Sequence, residues 1–401
     1  MKKTSVILLL LFLLSALSSC GNANFEIGTV SHTPSVPDRH SEPLGKVEFS
    51  SSQISFLGCG DNIIYFGTVR DAKRNAVEGG RDYNFKPIYE NVADIIKEAD
   101  VSFINQETLM CGEGYEFTYY PTFNGPQDMG YDLVEMGFDI VGMANNHMLD
   151  KGGKGLEKTI DFWRTLDVTS IGGYYTEDDY NDIRVYEEQG IKIALLSYTY
   201  GTNGLTAAKG SNVYIPYLFE ADIEKQVEAA KKVGDMVMVS VHWGEEGQFK
   251  PTSYQREYAQ RFADLGVDAV IGHHPHVIQP VEWVEGKNGN KMLCVYSLGN
   301  YMAEQAYDYN MVGGMISFDI VLTGGDVSLE NVEFIPTVYD FDRTFYNNRI
   351  YLLEEYTAEQ AANHGIIAYG RRTSLSTLRK YVSDTISPEF LPESYKAKSA
   401  S

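Results

Sequence analysis

From residue 54 onward, short apolar runs alternate with amphipathic stretches of roughly 10 to 15 residues, a pattern that restricts the chain to βαβ units built around parallel sheet. Parallel neighbours need a long crossover connection, and a helix supplies it. Strands are predicted at 54–59, 101–104, 139–144, 191–197, 236–241 and 267–271, and helices at 85–97, 129–136, 155–166, 221–232 and 253–265. After that the helices thin out, and 292–298, 311–322 and 327–335 read as consecutive strands. The chain is therefore helix-rich first and strand-rich later, an α/β protein with α+β elements. No internal repeat is visible.

The polar residues that follow the apolar runs carry the chemistry. Residues 54–59 lead into Gly60-Asp61, 101–104 into Asn105-Gln106-Glu107, and 139–144 into Asn145-Asn146-His147. Further on, 236–241 leads into His242-Trp243-Gly244, and 267–271 into Gly272-His273-His274-Pro275-His276. Carboxyl ends of parallel strands form one rim, where open α/β sheets bind ligands. Taken singly, Gly-Asp is a common turn, Asn-x-Glu is no sharper, Asn-Asn-His can be a helix cap with a core imidazole, and His-Trp-Gly can be a packed corner. Three imidazoles in four positions are different, because they repel when protonated and gain little from packing. Five of the 8 histidines fall in these motifs. Together they make a mixed oxygen and nitrogen donor set suited to Zn, Mn or Fe. Trp243, Tyr296 and Tyr301 read as packing residues.

Composition narrows the class. Hydrophobic residues are 43% and charged residues 22% of the 401, values of a globular protein. With 33 basic against 55 acidic residues the formal charge is −22, which repels phosphate backbones and excludes nucleic-acid binding through bulk charge. Lys2 and Lys3, the apolar run at 6–14 and the sequence Leu17-Ser18-Ser19-Cys20 read as a signal peptide closing on a lipobox. The expectation is an extracytoplasmic protein at the cell membrane, anchored through acyl chains on Cys20. Residues 1–19 form the signal peptide, 20–50 a lipidated cysteine and polar tether holding His32 and His40, 51–340 the main domain, and 341–401 an extension with weak helices and a frayed tail. Cys59, Cys111 and Cys294 have no close-spaced pairing and are expected as buried thiols.

The order and wording of these motifs resemble the bacterial capsule-synthesis or poly-γ-glutamate-synthesis CapA family, whose domain is similar to the calcineurin-like metallophosphatases. The resemblance runs from about residue 54 to 340. It rests on the Gly-Asp start, Asn105-Gln106-Glu107-Thr108, the Ala-Asn-Asn-His core of 137–150, His242-Trp243-Gly244-Glu245-Glu246, the segment 272–282, and Tyr296-Ser297-Leu298-Gly299-Asn300. It implies a four-layer α/β/β/α sandwich with two divalent metal ions at its rim. By motif, Asp61, Glu107 and His276 match ligands of the first metal, Glu107 standing where a bridging Asp is usual. Asn146, His242 and His274 match ligands of the second, and His147 matches the catalytic histidine that assists the leaving group. Two departures stand out: the phosphatases place x-His after the first Asp, where this chain has Asn62-Ile63, and Glu107 is one methylene longer than Asp. Asn105, Glu246 and Asn300 are candidates for extra ligands or substrate contacts; for Glu245 and Glu246 a solvated turn is the alternative.

The role implied is synthesis, export or release of an anionic surface polymer alongside membrane-bound synthase subunits. Two other readings compete: an exported metal-dependent phosphoesterase unrelated to capsule, and a non-catalytic scaffold that binds polymer or partner proteins.

Overall fold

A computed structural model describes residues 51–399, so the expected signal peptide, Cys20 and the tether lie outside the described residues. Fourteen strands occur in the order β1 (Ser51–Asn62), β2 (Val101–Gln106), β3 (Ile140–Gly142), β4 (Thr169–Ile171), β5 (Arg184–Glu188), β6 (Ile191–Thr199), β7 (Met236–His242), β8 (Ala269–His273), β9 (Val281–Glu285), β10 (Lys291–Val295), β11 (Asn300–Met302), β12 (Val312–Thr323), β13 (Asp326–Asp340) and β14 (Arg349–Leu352). They form two mixed sheets. One has the order β14-β13-β12-β1-β2-β3-β4 with β11 added beside β1, and the other β5-β6-β7-β8-β10-β9. The strands β1 to β4 are parallel, as are β6, β7, β8 and β10. The antiparallel members are β12, β13 and β14 on the first sheet and the edge strands β5 and β9 on the second.

The layering follows from period-2 alternation. In β6, Ile191, Ile193 and Leu195 join the large core shared with the first sheet, whereas Ala194, Leu196 and Tyr198 join a second core. β7 divides the same way, with Met236 and Met238 inward and Val237, Val239 and Val241 outward. A strand covered on both faces must be apolar throughout, which is why 191–197 and 236–241 read as continuous runs. The outer core is closed by the helix Ile223–Val233, which buries Ile223, Val227 and Ala230, and by Ser253–Leu265, which buries Ala259, Phe262 and Ala263. Thr252 and Gln255 form a capping box at the start of the latter helix. On the first sheet, Met129, Leu133, Leu156, Ile160 and Trp163 from Asp128–Met136 and Gly152–Trp163 pack into the large core. The result is a helix/sheet/sheet/helix sandwich.

Residues beyond 340 belong to this same core. Phe341, Ile350, Leu353, Tyr356, Leu378, Val382 and Tyr395 are buried with the first sheet, and β14 pairs with β13, so residue 340 is no boundary. The tail expected to be frayed forms the helix Glu393–Ser399 with Tyr395 buried. Cys59, Cys111 and Cys294 are free and buried, as expected.

Candidate metal centre

The strand-end motifs do not share the rim of one sheet. Asp61 and Asn105 lie at the carboxyl ends of β1 and β2, and the 145–147 turn follows β3 of the same first sheet, while His242 and His273 end β7 and β8 of the second. The two rims face each other and the polar residues meet between them. Register sets the neighbours: Asp61 lies opposite Asn105 on one side and Asn300 on the other, and His242 lies opposite His273. Two close backbone approaches permit this. A Cβ on Gly60 would lie 2.2 Å from the Gly299 carbonyl oxygen, and one on Gly272 would lie 2.1 Å from that of Tyr296. After β8 the backbone turns back through His274 (φ 98°) and His276 (φ 54°), a left-handed conformation rare for side chains with a Cβ.

Asp61 accepts a hydrogen bond from Asn105 Nδ2 at 2.8 Å and from the His274 backbone N–H at 3.2 Å. Burial would push its carboxyl up, but the imidazoles of His273, at 3.3 Å, and His276, at 3.2 Å, hold it well below the usual carboxylate range. Glu107 behaves oppositely. Neither carboxylate oxygen has a hydrogen-bond partner, and Oε1 lies 3.8 Å from Nε2 of each of His147, His242 and His276. Burial pushes its carboxyl well above its ordinary value. His276 is squeezed between the two acids: burial disfavours its charge, yet Glu107 and Asp61 raise it to about 9. Burial and the neighbouring His276 lower His274 to about 3, and burial with His274 beside it lowers His242.

These residues fit a divalent cation. Donors held about 2.0–2.2 Å from one ion lie about 3–4 Å apart, whereas 3.8 Å is too long for a hydrogen bond. Buried polar atoms are normally paired, yet Asn105 Oδ1, His242 Nδ1, His274 Nδ1 and both Glu107 oxygens lack partners. Two overlapping donor groups result, Asp61 with Glu107 and His276, and Glu246 with His274 and His276. Asn146 Oδ1 lies 2.9 Å from His242 Nε2, so it converges on the same point. A cation would supply the compensation that the His276 proton gives in its absence.

The structure thus brings together Asp61, Glu107, Asn146, His147, His242, His274 and His276, with Asn105 on Asp61 and Asn300 Oδ1 3.0 Å from His276 Nδ1. Glu246 is exposed at the edge. At the positions of the phosphatase x-His, Asn62 is bonded to Gln106 and Tyr89, and Ile63 packs with Phe123 and Ala303. Neither is available as a ligand; the imidazole beside Asp61 that does not come from a predicted ligand is that of His273, with Nδ1 3.3 Å from Asp61 Oδ1. Trp243, Tyr296 and Tyr301 are buried packing residues.

Sequence reasoning missed two groups. Asp150 Oδ2 lies 2.7 Å from His147 Nδ1 and also accepts the Phe123 backbone N–H at 2.6 Å, which leaves Nε2 of His147 turned toward Glu107. The spacing of Asp150 three residues after His147 in a tight turn was the available signal. His273, buried beneath Asp61, carried no signal beyond its place in the histidine cluster. A cleft of about 620 Å³ opens from His276 and Glu246 between Tyr65, Tyr120, Tyr307 and Tyr369. A larger cavity of about 810 Å³, lined by Leu375, Arg379 and Tyr395, shares no residue with the centre.

Comparison with known proteins gives the family. The profile described as bacterial capsule synthesis protein PGA_cap matches residues 55–305. The PGA biosynthesis protein CapA of Bacillus subtilis (strain 168) is 31% identical over 196 residues, 48% of this chain and 50% of that protein. The capsule biosynthesis protein CapA of Bacillus anthracis is 32% identical over 192 residues, 47% of this chain and 46% of that protein. The chain thus spans about half the length of these curated relatives. Among solved structures, the calcineurin-like phosphoesterase YfkN from Bacillus subtilis aligns with 88% of this chain and 99% of that chain at 11% identity and a TM-score of 0.41. On the extent of the profile match, the chain belongs to the bacterial capsule synthesis protein PGA_cap family.

Proposed function

We propose that this protein is a lipid-anchored extracytoplasmic hydrolase of the phosphoesterase type, acting in the synthesis, export or release of an anionic surface polymer alongside synthase subunits in the membrane. The observation that carries the reading is the Glu107 carboxylate, fully buried, without hydrogen bonds, and ringed by three imidazole nitrogens. A stable fold tolerates such a group when a cation completes it. Asp61, Glu107, Asn146, His242, His274 and His276 would hold the metal, with Glu246 at the open edge. A bound divalent ion polarises a phosphoryl or carbonyl oxygen and favours attack on it.

The remaining steps belong to the side chains. Asp150 accepts from Nδ1 of His147, so that the other nitrogen, Nε2, faces the centre; bare in the neutral ring, it carries a proton in the imidazolium, and in that form it gives the proton to, or hydrogen-bonds, a departing oxygen. Phe123, edge-on to His147 with ring centroids 4.7 Å apart, holds the imidazole plane. A purely binding scaffold has no need of an oriented imidazole, which favours the hydrolase over that alternative. An anchor at Cys20 would keep the centre beside a membrane-bound synthase, and the names of the two CapA relatives support a capsule role over an unrelated phosphoesterase.

The test is elemental analysis of the full-length protein in detergent, followed by a screen of phosphomonoester, phosphodiester and polyglutamate substrates. Stoichiometric Zn, Mn or Fe with turnover that disappears in His147→Ala is expected. A protein that takes up no divalent ion refutes the reading.

A further inference from the structure

Part of the cleft lining, Tyr307, Tyr309, Asn310 and Tyr369, lies beyond the family match, which ends at residue 305. Tyr307 and Tyr309 stack with ring centroids 4.9 Å apart, and the Arg371 guanidinium lies 3.6 Å from the Tyr307 centroid. The stack is braced from behind, since Tyr309 packs edge-on against both Phe249 and Tyr381. Tyr381 donates to Asp308 Oδ1 at 3.2 Å, and Tyr369 donates to the Glu304 carbonyl at 3.1 Å, tying the 369–381 segment to the cleft. Arg371 is exposed and forms no ion pair among the described residues, in a chain with 55 acidic residues against 33 basic ones. Arg70, Arg343, Arg372 and Arg379 likewise form no ion pair among the described residues, whereas Arg81, Arg164, Arg184, Arg256 and Arg261 meet carboxylates; what sets Arg371 apart is its place on a ring of the cleft.

A guanidinium laid flat on an aromatic ring keeps its N–H edge free and loses little freedom when a carboxylate or phosphate docks on that edge. The two acids in the cleft are already engaged. Glu304 accepts from the Gly67 amide and the Thr68 hydroxyl, and Glu246 belongs to the donor group with His274 and His276. The cleft is therefore lined by the cation-binding donors His276 and Glu246 and by tyrosines, one of which, Tyr307, carries the Arg371 guanidinium on its ring.

We infer that Arg371, held on Tyr307, is a second anion subsite that grips a non-reacting anionic group of a chain whose reacting group lies at the histidine cluster. This rests on the proposed function above, whose anionic polymer it takes as the ligand, and adds a residue that holds that polymer away from its reacting group. The reason is electrostatic, for a protein of net charge −22 repels such a chain everywhere except at local cations.

The test is binding by calorimetry at low and moderate salt, with full-length protein in detergent, before and after loading with Mn²⁺. Three probes are used: inorganic phosphate, an oligo-glutamate of about ten residues, and inorganic tetraphosphate. Arg371→Ala is expected to weaken the multivalent probe about tenfold, the worth of one charge-assisted bidentate contact, with metal content and phosphate affinity unchanged; Arg371→Lys should recover part of the loss. Loss confined to oligo-glutamate makes the polymer a polycarboxylate, and loss confined to tetraphosphate makes it a polyphosphate ester; either outcome supports the subsite. Equal weakening of inorganic phosphate, no change with any probe, or no binding of either multivalent probe by the wild type overturns it. Metal content, measured on the same samples, shows separately whether the metal centre stands.

Discussion

Glu107→Gln separates a cation site from an ordinary buried network by making two melting curves cross. In the wild type without metal, a carboxylate with no hydrogen-bond partner is held in the core, its carboxyl pushed up by burial and further by Asp61 and Glu246 while His276 pulls it down. Glutamine has the same shape without the charge, so in chelator the variant should be the more stable protein by about 1–3 kcal/mol. With metal the order reverses. An ion present at about a thousand times its dissociation constant stabilises the wild type by about 4 kcal/mol. Unfolding entropy of about 2.1 cal/mol/K per residue over about 350 described residues gives about 0.7 kcal/mol/K. The wild type should therefore gain about 5–6 °C on loading with Mn²⁺ or Zn²⁺, and Glu107→Gln little. In chelator the variant should melt about 1–4 °C above the wild type. Scanning calorimetry with EDTA and with each metal reads all four values. A wild type indifferent to chelator, or a variant that melts lower in EDTA and shows the same metal-dependent rise, refutes the reasoning.

His147→Ala should lower hydrolysis about 10²–10⁴-fold with metal content retained, whereas Asp150→Asn should act through the tautomer and give a smaller loss with a shifted pH–rate profile; loss of metal in His147→Ala would instead make it a ligand. Gly60→Ala places a Cβ 2.2 Å from the Gly299 carbonyl and should cost about 3 kcal/mol or more while pulling Asn300 away from Asp61, read as a lower melting temperature together with weaker metal retention. Glu304, pushed by burial from 4.5 up to about 7 despite bonds from Thr68 and the Gly67 amide, contributes stability that is full below about pH 4.5 and is lost as pH rises through about 7. The difference is about 3 kcal/mol, and Glu304→Gln should flatten that slope in denaturant titrations; an unchanged slope assigns the pH dependence elsewhere.

Much of the fold was legible because burial leaves a periodic trace. The run 253–265 coincides with the helix Ser253–Leu265, whose cap residues Thr252 and Gln255 are local in sequence. The run 236–241 is one residue short of β7, the missing residue being His242 itself. Short elements failed for the opposite reason. β4 and β11 have three residues each, too few to display a period, and the helix Phe66–Arg74 begins with an exposed Phe66 and is held at its start by Glu304, a partner far along the chain. The tail after 340 was misread because its buried residues belong to a core supplied mostly by other segments.

The amino-acid order alone determined which residue types end the strands, because a polar side chain directly after an apolar run has nowhere to go but the rim. It also determined the family, since the profile match over residues 55–305 spans the motifs 60–61, 105–108, 144–147 and 242–246. Only the tertiary structure decided that these motifs belong to two sheets, that Glu107 stands among three imidazoles without a hydrogen bond, and that Asp150 orients His147. It alone laid Arg371 on Tyr307, a residue of the cleft. Strand register and sheet-on-sheet packing are set by contacts summed over the whole core, and no local window of sequence contains that sum.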